Sequence, residues 1–180
     1  MAETMRSITT LETLLADNAT KQVSPQDLRD AVLATIIPGY AQMYISSPLA
    51  TDVSVVDTWY EVSGTYTLND NTPNWSMGTN GRLQYDGPET REVMINASIS
   101  MTVAASNEVL EFAVAKNGTI STPSIVRRKV SVGSDVGAAA IVAHVEVGTS
   151  DYISLFCRNT DSASDITADL MDMVVMDFPA

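Results

Sequence analysis

The side chains that could do chemistry are few. His144 is the one histidine and Cys157 the one cysteine of the 180-residue chain. A nucleophilic Cys–His pair requires the two side chains to meet. Around His144, residues Ile141, Ala143, Val145 and Val147 point one way on a strand, and Val142, His144 and Glu146 point the other. Cys157 falls in register with Ile153 and Leu155, which read as inward-facing. Parity therefore turns His144 outward and Cys157 inward, where a lone thiol behaves as a small hydrophobe. Zinc needs several soft ligands, and the chain is too poor in them. Calcium asks only for oxygens. Asp70 in Leu-Asn-Asp-Asn, and Asp161 and Asp165 in Thr-Asp-Ser-Ala-Ser-Asp, are loop carboxylates of that kind. Neither stretch has the calcium-loop pattern, and loop Asp and Asn mostly form turns. Walker and dinucleotide glycine patterns are missing as well. The residues predict no enzyme, no metal site and no cofactor.

The charge balance narrows the partners. Ten Lys and Arg face 22 Asp and Glu, for a net charge of −12. Phosphate backbones attract clustered basic residues. The only basic run here, Arg127-Arg128-Lys129, lies in a valine-rich strand, so nucleic acid is not an expected partner. Hydrophobic residues make up 45% of the chain and charged ones only 18%, which fits a folded protein that buries surface against partners. A single cysteine excludes an internal disulfide framework. Met1 to Thr20 have neither the basic start nor the apolar run of a signal peptide, and no apolar run is long enough for a bilayer span. Synthesis in a reducing cytoplasm is the expectation.

Two unequal parts must position whatever acts. Residues 1–40 read as an anchoring arm with a helix. Ser24 caps it, Pro25 occupies the first turn, and Leu28, Val32 and Leu33 recur at helical spacing before Pro38-Gly39. Upstream, Leu11, Leu14 and Leu15 offer a second apolar stripe. So short a helix is marginal alone in water and must dock on something.

Residues 41–180 read as one β domain. From Gln42 the period becomes two, with Val53 and Val55 and then Trp59, Tyr60 and Val62. The clearest run is 93–103, where Val93, Ile95, Ala97, Ile99, Met101 and Val103 alternate with polar or small residues. Further strands follow at 110–114, 125–132, 141–147, 152–157 and 166–176, separated by Gly, Asn, Asp, Ser and Pro clusters. Asn80-Gly81 predicts a type I′ hairpin turn, and Lys116-Asn117-Gly118 a second turn. The pattern predicts an antiparallel sandwich, a jelly roll of about eight strands.

Apolar residues exceed what one inward face needs. Met94, Val142 and Phe156 lie opposite the main alternation, and Met171, Met173 and Met176 crowd the last strand. Strands apolar on both faces are buried on both faces. These six residues are the expected subunit interface.

The order of segments Trp59-Tyr60-Glu61-Val62-Ser63-Gly64, "NGRLQYDG", "VMINASISM", "LEFAVAKNG", "VEVGTSDYISLFCRNT" and "ITADLMDMVVM" resembles a tumour-necrosis-factor-like jelly roll, in the version found in tailed-bacteriophage virion proteins. A Gly-Asp-Tyr-Ile strand of that group is matched by Gly148, Asp151, Tyr152, Ile153, Leu155 and Asn159, with Thr149 and Ser150 inserted. The stretch "LLADNATKQVSPQDLRDAV" is similar to the short anchoring segment of phage fibre and appendage proteins. The resemblance implies a homotrimer packed through its inner sheets on a virion surface. Its arm would attach to the major capsid protein or another virion protein. A compact trimer without a shaft suits capsid decoration, as a cement or head-fibre protein. The alternative is a tail-tip or tail-fibre receptor-binding protein, gripping a host-surface glycan or protein through a distal loop set containing Asp70, Trp75, Asp161 and Asp165, with Trp75 exposed for stacking.

Overall fold

The computed structural model describes residues 39–71, 74–131 and 135–178. The arm residues Leu11, Leu14 and Leu15, and the helix expected to carry Leu28, Val32 and Leu33, lie outside the described residues.

The described chain is built from strands in the order β1 (Tyr40–Pro48), β2 (Ala50–Thr51), β3 (Tyr60–Glu61), β4 (Gly64–Asn71), β5 (Trp75–Thr79), β6 (Arg82–Tyr85), β7 (Arg91–Val103), β8 (Glu108–Lys116), β9 (Thr119–Ile120), β10 (Val126–Val130), β11 (Gly137–Val147), β12 (Tyr152–Asn159) and β13 (Ile166–Phe178). One sheet runs β11-β7-β13-β1-β4, with β2 paired to β13. The other runs β10-β8-β12-β6-β5, with β3 on β12 and β9 on β8. Every pairing is antiparallel, and the two sheets pack face to face as a jelly-roll sandwich. Three of the strands are only two residues long, so the sandwich has more pieces than the sequence pattern shows.

Alternation drives the layering. In β7 the six residues Val93 to Val103 at odd numbers are buried, and the even-numbered residues face out. Met43, Ile95, Met101, Ile141 and Ile166 from one sheet meet Leu83, Tyr85, Leu110, Phe112, Ile153 and Leu155 from the other. Each such side chain contributes about 1.5–3 kcal/mol on leaving water. Strand β8 is buried on both faces within the chain itself, because the 3-10 turn Thr122–Ser124 folds over it and the Ser124 hydroxyl accepts from the Val114 N–H at 2.9 Å.

Two local expectations are corrected. The Asn80-Gly81 turn is not type I′, since only Gly81 has a positive φ, +80°. Asn80 keeps an ordinary φ because its side chain is committed elsewhere: Oδ1 accepts from the Tyr66 N–H at 2.8 Å and Nδ2 donates to the Gly64 carbonyl at 2.7 Å. The amide thus sews the β5–β6 turn to the start of β4. The I′ geometry occurs instead at Asn117 (φ 51°) and Gly118 (φ 76°), flanked by the Lys116–Thr119 pair. Val53 and Val55 do not begin a strand. Val53 is buried while Val55 is exposed, and Asp57 turns the chain at φ 60° so that its N–H reaches the Asn159 carbonyl at 2.8 Å.

Candidate interaction surface

His144 lies on β11 of the first sheet, facing outward, with Nε2 3.4 Å from a Glu92 carboxylate oxygen. Cys157 lies on β12 of the second sheet, fully buried. Burial pushes its thiol up to about 12. The two side chains do not converge. Among the described residues no group of three His, Cys, Asp and Glu side chains is placed to hold a metal ion.

The three carboxylates each fasten one part of the chain to another. Asp70 accepts the Tyr40 hydroxyl at 2.8 Å, and that hydrogen bond, with the carboxylate's charge, holds the Tyr40 hydroxyl above its ordinary range. Asp161 accepts the Val109 N–H at 2.9 Å, and Asp165 the Val53 N–H at 3.0 Å. Trp75 corrects the expectation of an exposed ring. It is 1% exposed, its ring 5.2 Å from that of Tyr85 and tilted 60° to it, with its indole N–H directed at Asp177. Nor do the four loop residues share one end of the sandwich. Strand registers put Asn71 beside Ala41 and Met176 beside Tyr40, so Asp70 and Trp75 lie at the end where the described chain begins. Ile166 pairs with Val103, which sets Asp161 and Asp165 at the opposite end.

On the outer face of the second sheet, Glu111 is the hub of a charged cluster. Its carboxylate, only 3% exposed, accepts from Arg127 and from Arg158 Nη2 at 2.6 Å. Arg158 also pairs with Asp57 at 2.8 Å and covers the Trp59 ring at 4.7 Å, tying the 52–59 loop to the sheet. Burial alone would raise the Glu111 carboxyl, and the two guanidinium groups outweigh it, leaving it below the ordinary range.

The outer face of the first sheet is different. Registers align His144, Met94, Met176 and Tyr40 in one row, Val142, Asn96, Val174 and Gln42 in the next, and Ala140, Ser98, Asp172 and Tyr44 in a third. Tyr40, Tyr44, Val142, Leu170 and Phe178 all belong to this face and are exposed, Val142 at 61% and Leu170 at 66%. Small residues between them leave two concavities. One of about 340 Å³ lies among Tyr44, Ser98, Ser100, Leu170 and Asp172. The other, about 270 Å³, lies among Asn96, Ala140, Val142, Val174 and again Ser98 and Asp172. The carboxyl of Asp172 accepts from Gln42 at 2.8 Å.

The six residues read as one apolar surplus therefore divide. Met94, Val142 and Met176 lie on this face. Met171 and Met173 point into the core, because a bulge between Ala168 and Leu170 flips the parity of β13. Phe156 is half-buried on the other sheet. Tyr40 and Tyr44 were missed, although Tyr40, Gln42 and Tyr44 alternate with Ala41, Met43 and Ile45 and carried the signal.

The chain is an antiparallel jelly-roll sandwich in which the outer face of one sheet is partly apolar. No family model and no curated protein matches it. The crystal structure of murine APRIL at pH 5.0 is similar in fold, with a TM-score of 0.52 at 8% identity over 79% of this chain and 100% of that one. Murine APRIL at pH 8.5 and pH 8.0 gives TM-scores of 0.49 and 0.48 at 7% identity, over 79% and 77% of this chain and 100% and 99% of theirs. Identity so low is a likeness of fold.

Proposed function

We propose that this protein is a non-enzymatic, self-associating surface protein, a trimeric capsid-decoration protein of a bacteriophage virion. The observation that carries the self-association is the outer face of the first sheet. Five large exposed hydrophobic residues of the described chain concentrate on it, around concavities floored by Ser98 and Ala140. Contiguous exposed apolar surface of this kind marks an interaction site. The jelly-roll fold and the segment resemblances support the virion reading. A trimer would present three arms at once, and linked weak anchors bind far more tightly than one.

Sedimentation of the purified protein at micromolar concentration, alone and with empty phage heads, tests this. A particle of three chains that co-sediments with heads is the expected result, and a monomer overturns the reading. A second reading, receptor binding at a tail tip, draws on a separate observation. Leu49, Val55, Val56 and Val136 are exposed on connections at the end opposite Gly39, where a distal partner would meet them. A trimer that ignores heads but binds host cells would favour it.

A further inference from the structure

We propose that neighbouring copies join head to tail, the Arg128 edge of one seating in the Asp172 concavities of the next. The inference rests on the self-association reading above and specifies its contact. A closed ring of three requires a heterologous interface, in which two different patches of the same chain meet. The question is which patch complements the outer sheet.

That sheet is acidic as well as apolar. Its outward charged residues are Glu92, Glu146 and Asp172, with Asp70 at the β4 margin, and the one basic side chain among them is His144, already beside Glu92. Two such faces pressed together would bring like charges into a drying interface, which is costly. A complementary patch must carry cations that are not yet used.

The described chain has few of these. Arg82 is held by Glu61, Lys116 by Asp151, and Arg127 and Arg158 by Glu111, while Arg91 is engaged by the Tyr85 hydroxyl. Among the described residues, Arg128 and Lys129 make no ion pair, and both are exposed on β10, the edge strand of the second sheet. The Arg128 stem lies against Gly137, the first residue of β11, where an added Cβ would stand 3.3 Å from Arg128 Cγ. Arg128 thus emerges at the side of the sandwich where the edges of both sheets run together.

The receiving surface matches this shape. Asp172 is the wall common to both concavities, each lined by apolar or small groups. An arginine delivers both parts that such a site takes. Its methylene stem fills apolar space, and its guanidinium forks onto a carboxylate.

The test is the mass of the full chain by sedimentation as a function of protein concentration. Arg128→Glu should weaken assembly by about tenfold or more. Asp172→Arg should do the same, and the two substitutions combined should restore assembly. Since Arg128 is exposed and unpaired, its substitution leaves the fold intact, and a near-ultraviolet circular dichroism spectrum like that of the parent protein checks this. Should Asp172→Arg not fold, Arg128→Glu alone decides. Unchanged assembly of a folded Arg128→Glu protein overturns this contact while leaving the trimer standing. A parent protein that is itself monomeric overturns the trimer reading, and this contact with it.

Discussion

The Asp177 carboxylate, near the end of β13, ties Gly39 just before β1 to Trp75 at the start of β5. One oxygen accepts the Gly39 N–H at 2.6 Å and the other the Trp75 indole N–H at 3.3 Å, while the Asp177 N–H returns to the Gly39 carbonyl at 2.8 Å. Only glycine fits at position 39, where a Cβ would fall inside that carboxylate. Removing one partner from a buried set leaves the other donors unmet, which is where the large penalties arise. Asp177→Ala should lower stability by about 2–4 kcal/mol in urea unfolding. Trp75→Phe keeps a ring on Tyr85, loses only the donor, and should cost about half as much or less. An Asp177→Ala protein within experimental error of the parent would show that the bridge is decorative.

The Glu111 cluster sets a pH dependence. Its carboxyl titrates lower in the folded chain than in the unfolded one. Its contribution is therefore full above the unfolded carboxylate value of about 4.3 and is lost as pH falls below that through the folded value. Glu111→Gln should destabilise by about 2–4 kcal/mol at neutral pH, because it strands two guanidinium groups against a half-empty site. The gap to the parent protein should narrow as pH drops below about 4. Thermal unfolding at a series of pH values measures it, and a gap independent of pH would assign the loss to packing.

How far the sequence foretells this architecture depends on how local each cause is. The 93–103 alternation is legible because β7 is a central strand with one face in the core, so every second residue obeys the same constraint. Met171 and Met173 are not, since one extra residue at the Ala168–Leu170 bulge moves the inward set from even to odd numbers. Trp75 reads as a polar-loop residue because its acceptor is 102 positions away. The outer sheet was visible in part through Met94, Val142 and Met176, and its concavities arise only when Ser98, Asp172 and Ala140 are brought side by side from three strands.

Asn80 offers a test of turn chemistry against tertiary anchoring. In a free I′ turn, glycine at that position is well tolerated. Here two hydrogen bonds to Tyr66 and Gly64 depend on the side chain. Asn80→Gly and Asn80→Ala should both lose about 1–2 kcal/mol in urea unfolding. An Asn80→Gly protein as stable as the parent would mean that the backbone alone decides this turn.

Cys157 should be chemically silent. With burial holding its thiol near 12, almost no thiolate exists at neutral pH, and reagents reach it only when β12 opens. Alkylation by iodoacetamide at pH 8 should be slow in the native protein and fast in urea, followed by mass spectrometry. Rapid native labelling would show that the second sheet opens far more readily than its burial implies.

The bulge in β13 separates assembly from folding through residues close together on one strand. Leu170 is exposed on the outer face, whereas Met173, three residues on, is wholly enclosed between the sheets. An aspartate at Met173 places an unpaired charge in the core, so Met173→Asp should fail to fold or unfold far below the parent temperature. Leu170→Asp meets water in the single chain and loses nothing there, yet in a trimer it adds a charge to an acidic, drying interface. It should yield a folded monomer with the parent's unfolding profile at low concentration. Phe156→Asp, on the opposite sheet, should leave assembly unchanged. Sedimentation and circular dichroism on the three variants separate these outcomes. A Leu170→Asp protein that still assembles would remove this face from the interface, whatever the stoichiometry.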